Sequence, residues 1–139
     1  MKHIKSCGFV VYKTLKNVNY YLIIRSINGD VGFPKGHIEI GESEIETATR
    51  ELKEETNIEV RMVDGFRRQI EYPLPGRADA IKQSVYFLGE CITDNIICQE
   101  GEVAEAEFLP FSEALSALTF DETKRILRDA EEFILLQLK

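Results

Sequence analysis

Glu51, Glu54 and Glu55 stand at i, i+3 and i+4 in a stretch of helix-forming residues. On an α-helix that spacing brings the three carboxylates to one side. Crowding like charges costs helix stability, and Arg50 can offset part of the cost through i,i+4 pairs with Glu46 and Glu54. Three converging carboxylates suit a hard divalent cation that prefers oxygen, Mg²⁺ first and Mn²⁺ as a substitute. A bare Glu-x-x-Glu-Glu is by itself an ordinary solvated acidic face, so its neighbours decide.

The helix that must carry the cluster has a legible start. Ser43 followed three residues later by Glu46 is a capping box, which predicts a helix from about 44 to 56. Ile45, Ala48, Leu52 and Thr56 then share one stripe, the expected core face. Upstream, residues 4–12 and 19–25 are rich in β-branched and aromatic side chains and read as a hairpin with a longish loop over 13–19. Asn28-Gly29-Asp30 and Gly32 mark a turn, and Pro34 and Gly36 bracket a tight loop. Downstream, 58–63, 65–72 and 80–92 read as strands, with a loop at Pro73-Leu74-Pro75-Gly76, and 104–109 as a short strand before Pro110. Two helices close the chain, 112–118 and 121–137, the second with Ile126, Phe133 and Leu136–Leu138 as a docking face. The fold class is α/β, a layered sandwich on a mixed β-sheet, and residues 1–139 make one domain.

Composition limits the partners. The chain is 44% hydrophobic and 29% charged, ordinary for a globular protein. No apolar run reaches the ~18 residues of a membrane span, and the first residues are interrupted too soon for a secretory signal and read as a strand. A net charge of −7 argues against a stable nucleic-acid complex. It leaves room for a small polyphosphate, because divalent metals invert the local field. Cys7, Cys91 and Cys98 are odd in number and lack Cys-x-x-Cys spacing, so neither a disulfide framework nor a zinc site is expected, and the cytoplasm is the simplest compartment. Oligomeric state has no sequence signal.

Gly36, Glu42, Arg50-Glu51-Leu52 and Glu54-Glu55 fall in the register of the Nudix signature. At a background of ~7% per residue type, six such identities arise by chance on the order of 10⁻⁷. The final glycine of the signature is Asn57 here, the usual substitute where a helix exits through a left-handed residue, and aliphatic Ile58 follows as expected. The chain thus resembles the Nudix hydrolases along its whole length, which implies a Nudix-type α/β/α sandwich with a mixed β-sheet. The resemblance implies metal-assisted attack of water on phosphorus in a nucleoside diphosphate derivative. It implies Glu51, Glu54, Glu55 and the Gly36 carbonyl as metal ligands, Glu42 as a brace for the loop, and Arg50 as the residue that orients the glutamates. Glu102 is its best match for a further loop carboxylate, ligand or base, with Glu100 and Glu105 as rivals.

Within the family the flanks are most similar to the asymmetrical diadenosine tetraphosphate hydrolases. The similarity runs through Phe33-Pro34-Lys35-Gly36-His37, Glu39, Gly41-Glu42, Gly65-Phe66-x-Arg68 with Tyr72, and Lys82-x-x-x-Tyr86. It implies release of ATP and AMP from a small-molecule nucleotide, with Lys35, His37 and Lys82 on the phosphates. A four-phosphate chain needs such cations in any case. Tyr72, Tyr86 and Phe120 are candidates for stacking on a base, Tyr86 being equally readable as core. An RNA 5′ end, a diphosphoinositol polyphosphate and a noncanonical nucleoside triphosphate are the alternative substrates the family allows. A nucleotide-sensing module without activity would be expected to have lost box carboxylates, and all three are present.

Overall fold

Two long strands, each apolar on both faces, form the centre of the molecule. The computed structural model describes residues 2–74, 76–93 and 95–137. In it β1 (Lys2–Leu15) lies parallel to β6 (Arg77–Thr93), from Lys2 opposite Ala80 to Tyr12 opposite Glu90. Beyond β6 runs β5 (Glu59–Leu74), antiparallel. On the other side β2 (Val18–Ser26) pairs with the end of β1, and β3 (Val31–Gly32) and β7 (Val103–Pro110) both pair with β2. A short β4 (Lys35–His37) pairs with Ser6–Gly8 of β1. The sheet is therefore mixed, as expected.

Alternation along these strands supplies two cores. Cys7, Phe9, Val11, Leu22, Val85 and Phe87 point to one face, where Ala48 and Leu52 of α1 (Glu44–Thr56) cover them together with Ile58. Val10, Tyr12, Tyr21, Ile23, Tyr86 and Leu88 point to the other face. There they meet Ala114 of α2 (Phe111–Ala117) and Ile126, Leu127, Ala130 and Ile134 of α3 (Asp121–Gln137). A sheet buried on both faces between helices is the α/β/α sandwich that the family resemblance implies.

Several local expectations change. The first hairpin has no long loop: its strands run to Leu15 and from Val18, joined by Lys16 and Asn17, both at positive φ (49° and 65°). Two such residues make the mirror-image turn whose twist suits adjacent strands, so pairing continues to the tip. The tight loop at Pro34–Gly36 is partly a strand, because β1 has a free edge at Ser6–Gly8 that residues 35–37 can pair with. The two strands read over 58–63 and 65–72 are one, interrupted by a bulge. Val63 lies opposite Leu88 and Arg67 opposite Phe87, with Gly65 at φ 94° inside the bulge. Pairing also persists through Pro73 and Leu74, where the sequence predicts a loop, whereas Pro75 lies outside the described residues.

The helix faces need adjustment too. On α1 the buried residues are Thr47, Ala48, Leu52, Glu55 and Thr56, while Ile45 in the first turn projects past the apolar layer and is exposed. On α3, Ile126 is buried and Phe133 partly so, but Leu136 is exposed, and Leu138 lies outside the described residues. Among the described residues no helix is long and apolar enough to cross a membrane.

Candidate active site

The carboxylate helix begins as the sequence requires. Ser43 Oγ accepts from the Glu46 amide at 3.1 Å, and Glu46 Oε1 accepts from the Ser43 amide at 2.8 Å. Glu46 is thereby committed to the cap, and no bond to Arg50 is found for it. Arg50 turns instead toward the loop that precedes the helix. Its Nε and Nη2 donate to Glu42 at 2.7 and 3.1 Å, its Nη1 to Glu51 at 2.7 Å and to Glu54 at 3.3 Å, and Nη2 also to the His37 carbonyl at 3.1 Å. Glu42 accepts in addition from the Thr47 hydroxyl and the Glu39 amide. Arg50 first, and Thr47 after it, hold the Glu42 carboxyl down at about 2, while Glu42 chiefly raises the guanidinium in return. One guanidinium thus ties the loop to two glutamates of the cluster, a bracing arrangement of the kind that orients ligands.

Gly36 sits against this cluster through β4. A β-carbon on it would fall 2.0 Å from Glu51 Cδ and 2.2 and 2.3 Å from the two carboxylate oxygens. The main chain can approach Glu51 this closely only because residue 36 has no side chain. Among the described residues no three Asp, Glu, His or Cys side chains form a ready-made metal cage; Arg50 draws Glu51 and Glu54 toward itself. The donor set nevertheless fits a hard cation: the Gly36 main chain and carboxylates border one cleft, all offering oxygen.

Glu55 is the buried member of the three, at 8% exposure. Burial first, and then the hydrogen bond and charge of Glu51, push its carboxyl well above the ordinary range. An acid held this way loses its proton readily only when positive charge arrives, which a divalent ion supplies. Lys35 is the complementary case. Burial and the charge of Lys82 bring its ammonium down to about 8, against an opposing pull from Glu55. Lys35 Nζ reaches Ser84 Oγ at 3.3 Å and lies 6.0 Å from the Tyr86 ring centroid. A lysine whose charge is disfavoured by burial and by a second lysine nearby is poised for an anion.

A cleft of about 650 Å³ gathers nearly all the residues singled out in the sequence: Lys35, Gly36, His37, Glu51, Glu54, Glu55, Tyr72, Lys82, Glu102 and Phe120. Glu102 arrives there because its segment is laced to the end of the carboxylate helix. Ile97 and Gln99 donate to the carbonyls of Thr56 and Glu55 at 3.0 and 2.9 Å, where Asn57 exits at φ 67° as the signature's substitute glycine. Ile27 then donates to the Glu102 carbonyl at 3.1 Å. The rivals do not border the cleft: Glu100 is absent from its wall, and Glu105 is paired with Arg25.

Tyr86 is a correction. Its ring is 1% exposed and packs edge-on against Phe33 at 5.5 Å, so it offers no face to a base. It is a wall of the cleft and the floor under Lys35. Tyr72 and Phe120 are 37% and 50% exposed and remain available. Sequence reasoning missed Ser84, which the period of two along β6 places on the same face as Lys82. It also missed Ser6, Ser26, Asn28, Asp30 and Gln99 on the cleft wall, where nothing local marks them.

Comparison with known proteins agrees with this geometry. The family model described as NUDIX domain matches residues 6–130. The asymmetrical bis(5′-nucleosyl)-tetraphosphatase of Mus musculus is 27% identical over 143 residues, covering 94% of this chain and 95% of that protein. The crystal structure of a C. elegans Ap4A hydrolase binary complex superposes with a TM-score of 0.85 at 24% identity, covering 95% of this chain and 98% of that one. The E. coli dihydroneopterin triphosphate pyrophosphohydrolase superposes at 0.71 with 15% identity, covering 93% and 97%. Likeness at that level is one of fold alone and does not choose a substrate.

Proposed function

The chain belongs to the Nudix family of hydrolases, and on that premise we propose that it cleaves a dinucleoside tetraphosphate asymmetrically, releasing ATP and AMP from diadenosine tetraphosphate. The observation that carries this reading is the single cleft in which carboxylates, Lys35 and Lys82, and two exposed aromatics meet. Each set answers one part of such a substrate: metal-bound phosphate, a long phosphate chain and a base. The named activity of the mouse relative supports the same choice.

Glu51, Glu54, Glu55, Glu102 and the Gly36 carbonyl would hold Mg²⁺, with Mn²⁺ as a substitute. When bound, the metal polarises phosphate, lowers the pKa of water and neutralises leaving charge. The protein's own groups do the rest. Lys35, Lys82 and His37 take up the phosphate oxygens along the chain, and burial makes the lysine contacts stronger than surface ones. Arg50 and Glu42 keep the glutamates and the Gly36 loop in one arrangement. Glu54 has a side chain 46% exposed, against 16% for Glu51, so it is the first box carboxylate that an entering water meets and the best placed to accept its proton. Tyr72 and Phe120 hold a base. An odd cysteine count without Cys-x-x-Cys spacing supports a reducing compartment such as the cytoplasm.

The test is product identification. Purified protein with Mg²⁺ is given diadenosine tetraphosphate, nucleotide sugars and capped RNA, and the products are weighed. ATP with AMP is expected from the first. Two ADP would contradict asymmetrical cleavage, and turnover confined to another substrate would move the enzyme elsewhere in the family.

A further inference from the structure

Phe66 and Arg68 have no place in the cleft, yet two contacts join them to α3. Phe66 meets Phe133 edge to face at 5.6 Å and 72°. Arg68 Nε donates to Asp129 Oδ2 at 3.1 Å, and its guanidinium lies 4.4 Å from the centroid of the Phe66 ring. These pairs define a register between strand and helix. Moving two residues forward on β5 corresponds to moving four residues back on α3. The distances match: two strand residues rise ~7 Å and four helix residues ~6 Å. Strand and helix therefore run antiparallel.

Extending the register leads to the cleft. Tyr72 is four residues beyond Arg68, ~13 Å along the strand. Phe120 is nine residues before Asp129, ~13 Å along the helix direction. Both reach the same cleft, and Phe120 is tied to the start of α3 by the Thr123 hydroxyl, which donates to its carbonyl at 2.9 Å. Tyr72 is on the correct face only because of the bulge at Gly65. Val60 and Met62 pack toward α1, whereas after the bulge Phe66 and Ile70 pack toward α3.

From this register we propose that the Arg68–Asp129 pair, seated on Phe66, sets the gap between Tyr72 and Phe120, making Arg68 a positioning residue for the nucleoside. The proposal rests on the reading that these two aromatics hold a base. Neither Arg68 nor Asp129 lines the cleft, so the pair acts on base affinity and not on the chemical step. Each side chain is more than a third exposed, so the pair adds little to stability.

The experiment compares R68M, R68K and D129N in the full chain, with Y72A and F120A alongside. R68M keeps an apolar stem over Phe66 and removes the charge, while D129N keeps the shape. KM for diadenosine tetraphosphate is expected to rise roughly fivefold in R68M and D129N, with kcat within about twofold. R68K should recover part of the loss. Inhibition by inorganic tripolyphosphate, which has no base, should be unchanged, as should the melting temperature. Unchanged KM in R68M and D129N while Y72A and F120A raise it would overturn the spacer and leave the base reading intact. A parallel loss of tripolyphosphate binding would overturn it too, by showing general distortion. Unchanged KM in Y72A and F120A would overturn the base reading and the spacer with it.

Discussion

The carboxyl of Glu55 is buried one helical turn from that of Glu51, whose negative charge adds to the effect of burial and raises its pKa. In the metal-free protein this is a destabilising site. The folded state raises the Glu55 pKa above its ordinary 4.5, so above that pH the folded chain holds a proton that the unfolded chain has released. Stability then falls as pH rises from about 4.5 through neutrality. Glu55→Gln abolishes the titration and keeps the shape. It should melt above wild type near pH 8 without metal, with the gap closing near pH 5. Mg²⁺ should raise the wild-type melting temperature more than the variant's, and kcat should drop at least ~10²-fold. Equal response to Mg²⁺, or wild-type turnover, would end the metal reading for Glu55.

Gly36→Ala should separate the site from the fold. The added methyl meets the far end of the Glu51 side chain, which can swing away at small cost in stability. Glu51 then leaves its place beside the main chain. Expected are a near-normal melting temperature and a loss in kcat of ~10²-fold, recovered partly at high Mg²⁺. Full activity in the variant would show that this close approach has no role in catalysis.

Lys82→Ala tests the phosphate chain. If Lys82 and Lys35 share the substrate's charge, a long polyphosphate substrate should lose roughly 1.5–3 kcal/mol in kcat/KM, the value of a charge-assisted hydrogen bond. Short substrates should lose less. Removing Lys82 should also raise the Lys35 pKa, because Lys82 is the second cause of its depression after burial. Equal losses for diphosphate and tetraphosphate substrates would assign Lys82 a structural task.

Stacking on Tyr72 and Phe120 should be read by ring and not by hydroxyl. Y72A and F120A should each weaken binding of a non-hydrolysable tetraphosphate analogue by about 1–3 kcal/mol, and Y72F should be nearly silent. Guanosine analogues should bind comparably, since stacking reads no base edge. Both side chains are at least a third exposed, so melting temperatures should hold. Weakened binding matched by a collapse in melting temperature would reclassify the aromatics as core.

The carboxylate helix was legible because its signals are local. Ser43 and Glu46 cap it, 3.6-residue spacing aligns Glu51, Glu54 and Glu55, and Asn57 ends it in the left-handed region as expected. Family membership followed from the same short stretch. The α/β/α architecture followed from that resemblance, and the structure supplies its physical reason: β1 and β6 are apolar at consecutive positions and so must be covered on both faces. What the tertiary structure alone decided was which side chains face one another. Helical spacing anticipates the pair of Arg50 with Glu54 but not the one with Glu42, which reaches it from the preceding loop. Glu102 was separated from its rivals only by the backbone lacing of residues 97–103 to the end of α1. Tyr72 and Tyr86 have the same chemistry, yet one is open and the other buried under Phe33. The bulge at Gly65 shows the reason most plainly. With a side-chain period of two, three extra residues on β5 between consecutive partners on β6 reverse every face that follows, and no local pattern around Tyr72 records that reversal.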